Sequence, residues 1–321
     1  MNTLVEDDVK KKYTDTYTEL VRGFCVDKSI LDIASKYPFN EHNQAPAPFL
    51  PIIGSGYFTA TIRVAIYGME TLHWHDLSKF VDKFSKADEN PLARVKKYTD
   101  GNEDGTEIKS HKDNQRFHVH HAVPWYKKNN FWGFAYSALA CIHGVSVKTL
   151  KKKDSTIEKS FIWGNVHAYE RFSKTPKKVG MSREDWEIVY KEASKRFDSA
   201  QLLLPYTRPQ IMVVFHWAMT RKWLTGKEGD WEPSEKIPFD WQDFSIEHSL
   251  TEEQTKNLVH YIRCYYLAET KTFILHTMHP SGMNPNHKYW KGNGIEHDIW
   301  KSAIRHALRQ IMKNEKFSSQ S

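Results

Sequence analysis

The sequence predicts an α/β protein of three layers, with helices on both faces of a central, mainly parallel four-stranded sheet. Four short runs are too apolar to be half exposed, which is typical of strands covered on both faces. Helical patterns separate these runs, and strands that alternate with helices favour parallel pairing. The four runs are TIRVAIYG (61–68), SFIWGNV (160–166), QIMVVFHW (210–217) and TFILHTMH (272–279).

Four further segments carry apolar residues at helical spacing. Two of them open on a capping box, Ser182 with Asp185 and Thr251 with Gln254. In this motif two side chains three residues apart satisfy the first amides of a helix. The helical segments are residues 5–24, 182–204, 251–269 and roughly 295–313.

The chain has 321 residues, 40% of them hydrophobic, which is enough for one large domain with a full core. Residues 1–45 are predicted to be an N-terminal helical extension, and residues 46–313 the α/β domain. A long segment rich in His and Lys, about 76–130, is interpreted as an insertion on that domain. Residues 314–321 are predicted to be a frayed tail.

Composition excludes several classes of protein. No window has the ~20 unbroken apolar residues of a membrane span, and the first residues differ from a secretory signal. Three widely separated cysteines, Cys25, Cys141 and Cys264, predict neither a disulfide framework nor a cysteine-bound metal. We therefore expect a cytoplasmic protein with no membrane partner. The net charge of +7 and several lysine clusters fit a polyanion partner, although lysine runs are often only solvated surface.

Each predicted strand ends at or just before a residue whose side chain could bind a ligand or take part in catalysis. Glu70 comes just after the first run, Asn165 ends the second, His216 the third and His279 the fourth. Ligands of such sheets bind beyond the carboxyl ends of the strands. Each residue alone has an ordinary explanation, such as a helix cap for Glu70 or an interior histidine for His216. The four together predict a binding or catalytic site at one edge of the sheet.

These motifs, in this order, resemble the uracil-DNA glycosylase superfamily. That family has a water-activating motif after its first strand, and GMETLH (68–73) matches it in Gly68, Glu70 and His73, with Thr71 in place of the usual proline. The resemblance covers roughly residues 50–310. Its other motifs are NNFWGFAYSAL (129–139), FIWGNV (161–166), AQLLLPYTRPQIMVVFHW (200–217) and HPSGMN (279–284).

The resemblance implies hydrolysis of an N-glycosidic bond without metal or cofactor. A carboxylate beside the sugar, Glu70, would stabilise the developing cation and orient a water. His279 would donate a hydrogen bond to the leaving base. The flipped base would stack on Phe131, or on Trp132 as second choice, and Asn165 would read its edge.

The remaining implied contacts are with the substrate and with the DNA stack. Met283 would be the wedge that fills the gap left by the flipped base. The other substrate-binding positions are Gly68, Met69, His73, His216 and Ser281, and the intercalating loop is Gly282, Met283 and Asn284.

The long segment 76–130 bears on which base is removed. Its histidines and aromatic residues favour a bulky modified pyrimidine, such as the glucosylated hydroxymethylcytosine of phage DNA that a branch similar to this superfamily excises in antiviral defence. We expect a monomer that binds duplex DNA. Excision of uracil or mismatched thymine in repair, and a non-catalytic reader of modified DNA, stay open. A metal-dependent hydrolase also stays open, because HWHD (73–76) and HVHH (118–121) cluster imidazoles.

Overall fold

The structure is a computed structural model. It describes residues 6–38, 45–48, 51–54, 56–68, 77–85, 130–150, 160–167, 169, 181–197, 204–216, 235–280, 282–283 and 294–319.

The helices follow the predicted segments at both ends of the chain. Helices α1 and α9 fall where the 5–24 and 295–313 patterns placed them. The helices are α1 (Glu6–Cys25), α2 (Lys28–Lys36), α3 (Leu77–Ser85), α4 (Asn130–Ile142), α5 (Val147–Leu150), α6 (Arg183–Phe197), α7 (Gln242–Glu247), α8 (Glu252–Tyr261), α9 (His297–Lys313) and α10 (Glu315–Ser318).

All four predicted strands are present, as β2, β3, β4 and β7. The strands are β1 (Ile52–Ile53), β2 (Val64–Gly68), β3 (Phe161–Asn165), β4 (Ile211–Phe215), β5 (Glu235–Ile237), β6 (Ile262–Leu267) and β7 (Thr272–Thr277). They form one sheet in the order β1-β3-β2-β4-β7-β6-β5.

The α/β class is confirmed, but the four-stranded, mainly parallel sheet is wrong. Strand β4 pairs in parallel with β2 and with β7, whereas β6 pairs antiparallel with both β7 and β5. The sheet is therefore mixed, and three strands are added to the predicted four. The predicted layers of helices on both faces stay a prediction.

Strand β6 was missed because its residues were assigned to the preceding helix. The capping box is confirmed, since the Thr251 side chain accepts from the Gln254 amide and Gln254 caps in return. The helix that it starts ends at Tyr261, and Ile262–Leu267 turns into a strand that follows Tyr261 directly. Isoleucine and tyrosine favour strands, and pairing with β7 outweighs the weak helical periodicity beyond Tyr261.

By the clustering of its contacts the chain divides into two compact units. The first combines 1–55, 70–120 and 163–207, and the second combines 56–69, 121–162 and 208–321.

The first unit has an aromatic core. The Phe24 ring of α1 lies edge-on against Phe80 of α3 at 6.1 Å and against Phe197 of α6 at 5.4 Å. All three side chains are buried. Helix α3 lies inside the segment interpreted as an insertion, so the insertion begins with a core helix rather than a polar loop.

In the second unit α9 packs against α4 and β7. Its apolar stripe is buried, as an amphipathic helix on a sheet requires. The stripe is Trp300, Ala303, Ile304, Ala307, Leu308 and Ile311. The chain does not fray at once after α9, because Asn314 caps the short helix α10 and Phe317 is buried against Phe273 of β7 at 6.1 Å.

Among the described residues no helix is long and apolar enough to cross a membrane.

Candidate functional site

Three parallel strands end at the same level in the second unit. The register pairs Tyr67 of β2 with Val214 of β4, and Phe215 of β4 with Thr277 of β7. Beyond these ends the His216 amide donates to the Thr277 carbonyl at 3.0 Å, which extends the pairing by one bond. The predicted convergence of strand ends is therefore confirmed for β2, β4 and β7.

Three histidines lie at this edge, and we call them the rim histidines: His216, His276 and His279. The rings of His216 and His276 are 6.2 Å apart, and each side chain is 1% exposed. His279 follows β7 by two residues and is half-buried. The structure brings together His216 and His279, as predicted, and adds His276.

Burial keeps the imidazoles of His276 and His279 neutral. It lowers the pKa of His276 to about 3 and that of His279 to about 4, and His216 lowers both further. A buried charge is costly in a low dielectric, so the uncharged form is favoured. At neutral pH each of these two imidazoles therefore offers one N–H donor and one acceptor nitrogen without carrying a charge.

An arginine that the sequence did not indicate stands beside them. Arg263 of β6 pairs across the sheet with His276, and its positive charge contributes to the low pKa of that histidine. Its Nε donates to the His260 carbonyl at 2.8 Å, and an Nη lies 3.2 Å from His260 Nδ1. Arg263 was missed because β6 was read as helix. His276 could have been found, because a histidine inside an apolar strand is itself a signal.

Phe131 lies on the face of the sheet opposite to the His276 side chain. The Phe131 ring packs edge-on against Phe215 at 5.5 Å, and Phe215 and His276 belong to adjacent register levels, so their side chains point to opposite faces. A base that meets both Phe131 and a rim histidine would therefore lie beyond the strand ends. Trp132 is buried against Tyr136 at 5.8 Å, so the structure contradicts its role as an alternative stacking residue.

The loop after β7 differs from the predicted wedge. The Gly282 amide donates to the His279 carbonyl at 2.8 Å, and the Met283 amide donates to the Pro280 carbonyl at 3.2 Å. Met283 lies in these turns and is buried, at 0% exposure. A residue that enters a base stack must be exposed, so Met283 would have to leave this position to act as the predicted wedge.

Several predicted site residues lie outside the described residues, namely Met69, Glu70, His73, Ser281 and Asn284. Gly68 is described and ends β2. Asn165 is the last residue of β3 and is 4% exposed; it belongs to the first unit, whereas the rim histidines belong to the second.

The described part of the chain contains no group of three or more His, Cys, Asp or Glu side chains that could hold a metal ion. The histidine clusters at 73–76 and 118–121 lie outside it.

No protein-family model matches this sequence, and searches of curated proteins and of solved structures also give no match.

Proposed function

We propose that the protein is a DNA glycosylase that flips a modified pyrimidine out of duplex DNA and hydrolyses its N-glycosidic bond. The observation that carries the proposal is the edge where β2, β4 and β7 end together. His279 follows β7 at this edge, and GMETLH, with Glu70, follows β2 in the sequence. A uracil-DNA glycosylase-like architecture, with three layers around the sheet, is part of the same proposal.

In the proposed reaction a water attacks the anomeric carbon of the sugar and the bond to the base nitrogen breaks. The electron pair leaves with the base, and the carboxylate of Glu70 orients the water and takes its proton. The low pKa of His279, about 4, supports a neutral imidazole that donates a hydrogen bond to the departing base. Such a donor acts mainly on charge that appears in the transition state.

The substrate we favour is a bulky modified cytosine, such as glucosylated hydroxymethylcytosine in phage DNA, and the setting is antiviral defence. The histidine-rich and aromatic segment 76–130 supports this choice over plain uracil. Half-buried Phe131 beside the strand ends supports a stacking role.

The test is to incubate the protein with phage DNAs that differ in base modification and to identify the released base by mass analysis after alkaline cleavage of the strand. We expect release from DNA with bulky modified cytosines and none from unmodified DNA. Release of uracil alone would assign the protein to repair. Retention of modified DNA without release would make it a reader of that modification.

Glu70→Gln is the matched variant, because it removes the charge and keeps the shape. We expect the single-turnover rate of base release to fall by ~10²–10⁴-fold while DNA binding persists. A wild-type rate in this variant would remove Glu70 from the mechanism.

A further inference from the structure

Helix α9 carries basic side chains at intervals of four residues along its whole length. Residues four apart are neighbours on a helix, but each such step turns the row by about 40° around the helix axis, so the row winds from the half-buried side of α9 near its start to the exposed side near its end. Its last two members, Arg309 and Lys313, are exposed, and the other three are half-buried. We call this set the α9 basic row: His297, Lys301, Arg305, Arg309 and Lys313. Burial lowers the pKa of His297 below its ordinary value, so the positive charge of the row comes from its two lysines and two arginines.

The centre of the row is held in place by neutral groups. The Arg305 guanidinium donates to the Ser137 hydroxyl of α4 at 3.0 Å and to the Ser302 hydroxyl at 2.7 Å. Arg309 lies near the Cys141 thiol of α4, where its positive charge opposes the rise that burial causes in the pKa of that thiol. A hydroxyl fixes a guanidinium without cancelling its charge. Within the described residues neither arginine has a carboxylate as ion-pair partner.

Lys301, one turn closer to the start of α9, makes different contacts. The Lys301 ammonium lies 5.6 Å from the centre of the Phe134 ring of α4. It also donates to Asp298 at 3.0 Å, but that carboxylate is almost fully in water. Because an exposed pair of this kind contributes little free energy, a phosphate can replace Asp298 beside Lys301 at small cost.

The row begins beside the candidate site. The His297 ring lies edge-on against Phe134 at 5.8 Å, and Phe134 lies 6.3 Å from Phe215. Phe215 is the last residue of β4 and precedes the rim histidine His216. The Phe134 ring therefore links the first residue of the basic row to the end of β4. From there the row continues along α9.

We propose that the α9 basic row is a docking surface for the phosphate backbone of a DNA duplex whose flipped base is held at the strand ends. This inference rests on the proposed function for its partner. Each lysine or arginine that neutralises a phosphate releases condensed counterions, which drives association. Side chains that are already fixed lose less conformational entropy on binding. Phosphate contacts do not read sequence, so the row positions the duplex.

The test compares two variants with the same change in charge. Arg309→Glu with Lys313→Glu reverses two exposed members of the row. Lys191→Glu with Lys195→Glu reverses two exposed lysines, also four residues apart, on α6. Binding of each to a fluorescent duplex of ordinary bases is measured by anisotropy between about 50 and 200 mM salt, and circular dichroism verifies the fold.

We expect the row variant to lose at least ~10-fold more affinity than the α6 variant. Its log–log salt slope should become flatter by up to about 1.8, which corresponds to two lost phosphate contacts. Equal losses in the two variants would overturn the proposal, because net charge alone would then explain the binding. Wild-type protein that binds anionic phospholipid vesicles but not the duplex would also overturn it and assign the row to a membrane surface.

Base release separates this inference from the proposed reaction. The row variant should need a higher protein concentration than the α6 variant to reach half of its maximal single-turnover rate on modified DNA, because the row acts on duplex binding and not on the reacting atoms. If wild-type protein releases no base but the row variant alone loses duplex affinity, the docking surface stands and the reaction is wrong. If base is released and the two variants bind alike, the reaction stands and the docking surface is wrong.

Discussion

Two polar clusters of the protein each contain a side chain whose pKa is lowered. In one cluster the lowered pKa favours the charged form of the side chain, and in the other it favours the neutral form. In the first unit, the Asp185 carboxylate accepts hydrogen bonds from Lys36 at 2.5 Å, Tyr37 at 2.7 Å and Ser182 at 2.8 Å. The Lys36 bond is the main reason that the pKa of Asp185 falls to about 2, and the charged form is the favoured one. At the strand ends, burial lowers the pKa of His276 to about 3, and the neutral form is the favoured one.

The cluster around Asp185 stabilises the fold, whereas the burial of histidines at the strand ends costs stability. Donors surround Asp185 at the start of α6, where a negative charge also suits the helix dipole. His276 and His279 instead lose their charge on burial. Groups held in a costly protonation state are enriched at functional sites. The strand ends are therefore the stronger candidate for chemistry.

The largest effect should follow from His279→Ala. If this imidazole donates to the leaving base, its loss should lower the single-turnover rate of base release by ~10²–10⁴-fold. Unfolding by urea at pH 7 should change little, because the neutral ring contributes to the transition state rather than to the fold. If the variant unfolds more easily and its folded fraction keeps the full rate, His279 belongs with Asp185 as a structural residue.

The next effect is the loss of stability in mild acid. The folded pKa of His276, about 3, lies below its ordinary value of 6.5, so the unfolded chain binds more protons as the pH falls below about 6.5. Stability should fall through this window down to about pH 3. At pH 5 His276 alone should cost about 2 kcal/mol relative to pH 7.

His276→Gln removes the titration and keeps a polar side chain. Urea unfolding of both proteins at pH 7 and pH 5 measures the difference. The variant should lose about 2 kcal/mol less between these pH values than the wild type. An identical loss would show that the pKa of His276 is the same in the folded and the unfolded chain.

Asp185→Asn should lower stability by about 1–2 kcal/mol, because three donors lose a charged acceptor whose side chain is only 14% exposed. The carboxylate stabilises the fold fully above pH 3.8 and loses this effect as the pH falls through about 2. The loss should therefore be the same at pH 7 and pH 5, unlike that of His276. A loss that grows between pH 5 and pH 7 would contradict this window.

Lys36→Met should have the smallest effect. The ammonium is 59% exposed, so water and salt screen its attraction to Asp185. Urea unfolding should show a smaller loss than for Asp185→Asn, and the loss should shrink further in about 1 M salt, where screening acts over ~3 Å. A larger loss than for Asp185→Asn would mean that Lys36 and not the carboxylate organises the cluster.

The local sequence pattern was sufficient to predict the strands and helices that depend mainly on near neighbours in the chain. The apolar runs of β2, β3, β4 and β7 and the spacing in α1 and α9 are properties of short windows, and the structure has strands and helices there. The Ser182 hydroxyl accepts from the Asp185 amide, as its capping position predicts. The second half of that capping box differs, because the Ser182 amide donates to the Tyr37 hydroxyl, a residue 145 positions away.

The sequence by itself determined the α/β class and the placement of His216 and His279 at strand ends, because side-chain periodicity and strand boundaries are set by near neighbours. Only the tertiary structure decided that 262–267 is a strand, that His276 and Arg263 join the strand ends, and that Met283 is buried. Each of these three features depends on contacts with residues that are distant in the sequence. Pairing across β6 and β7 and the burial of one methionine are free-energy gains between segments, and no local pattern contains them.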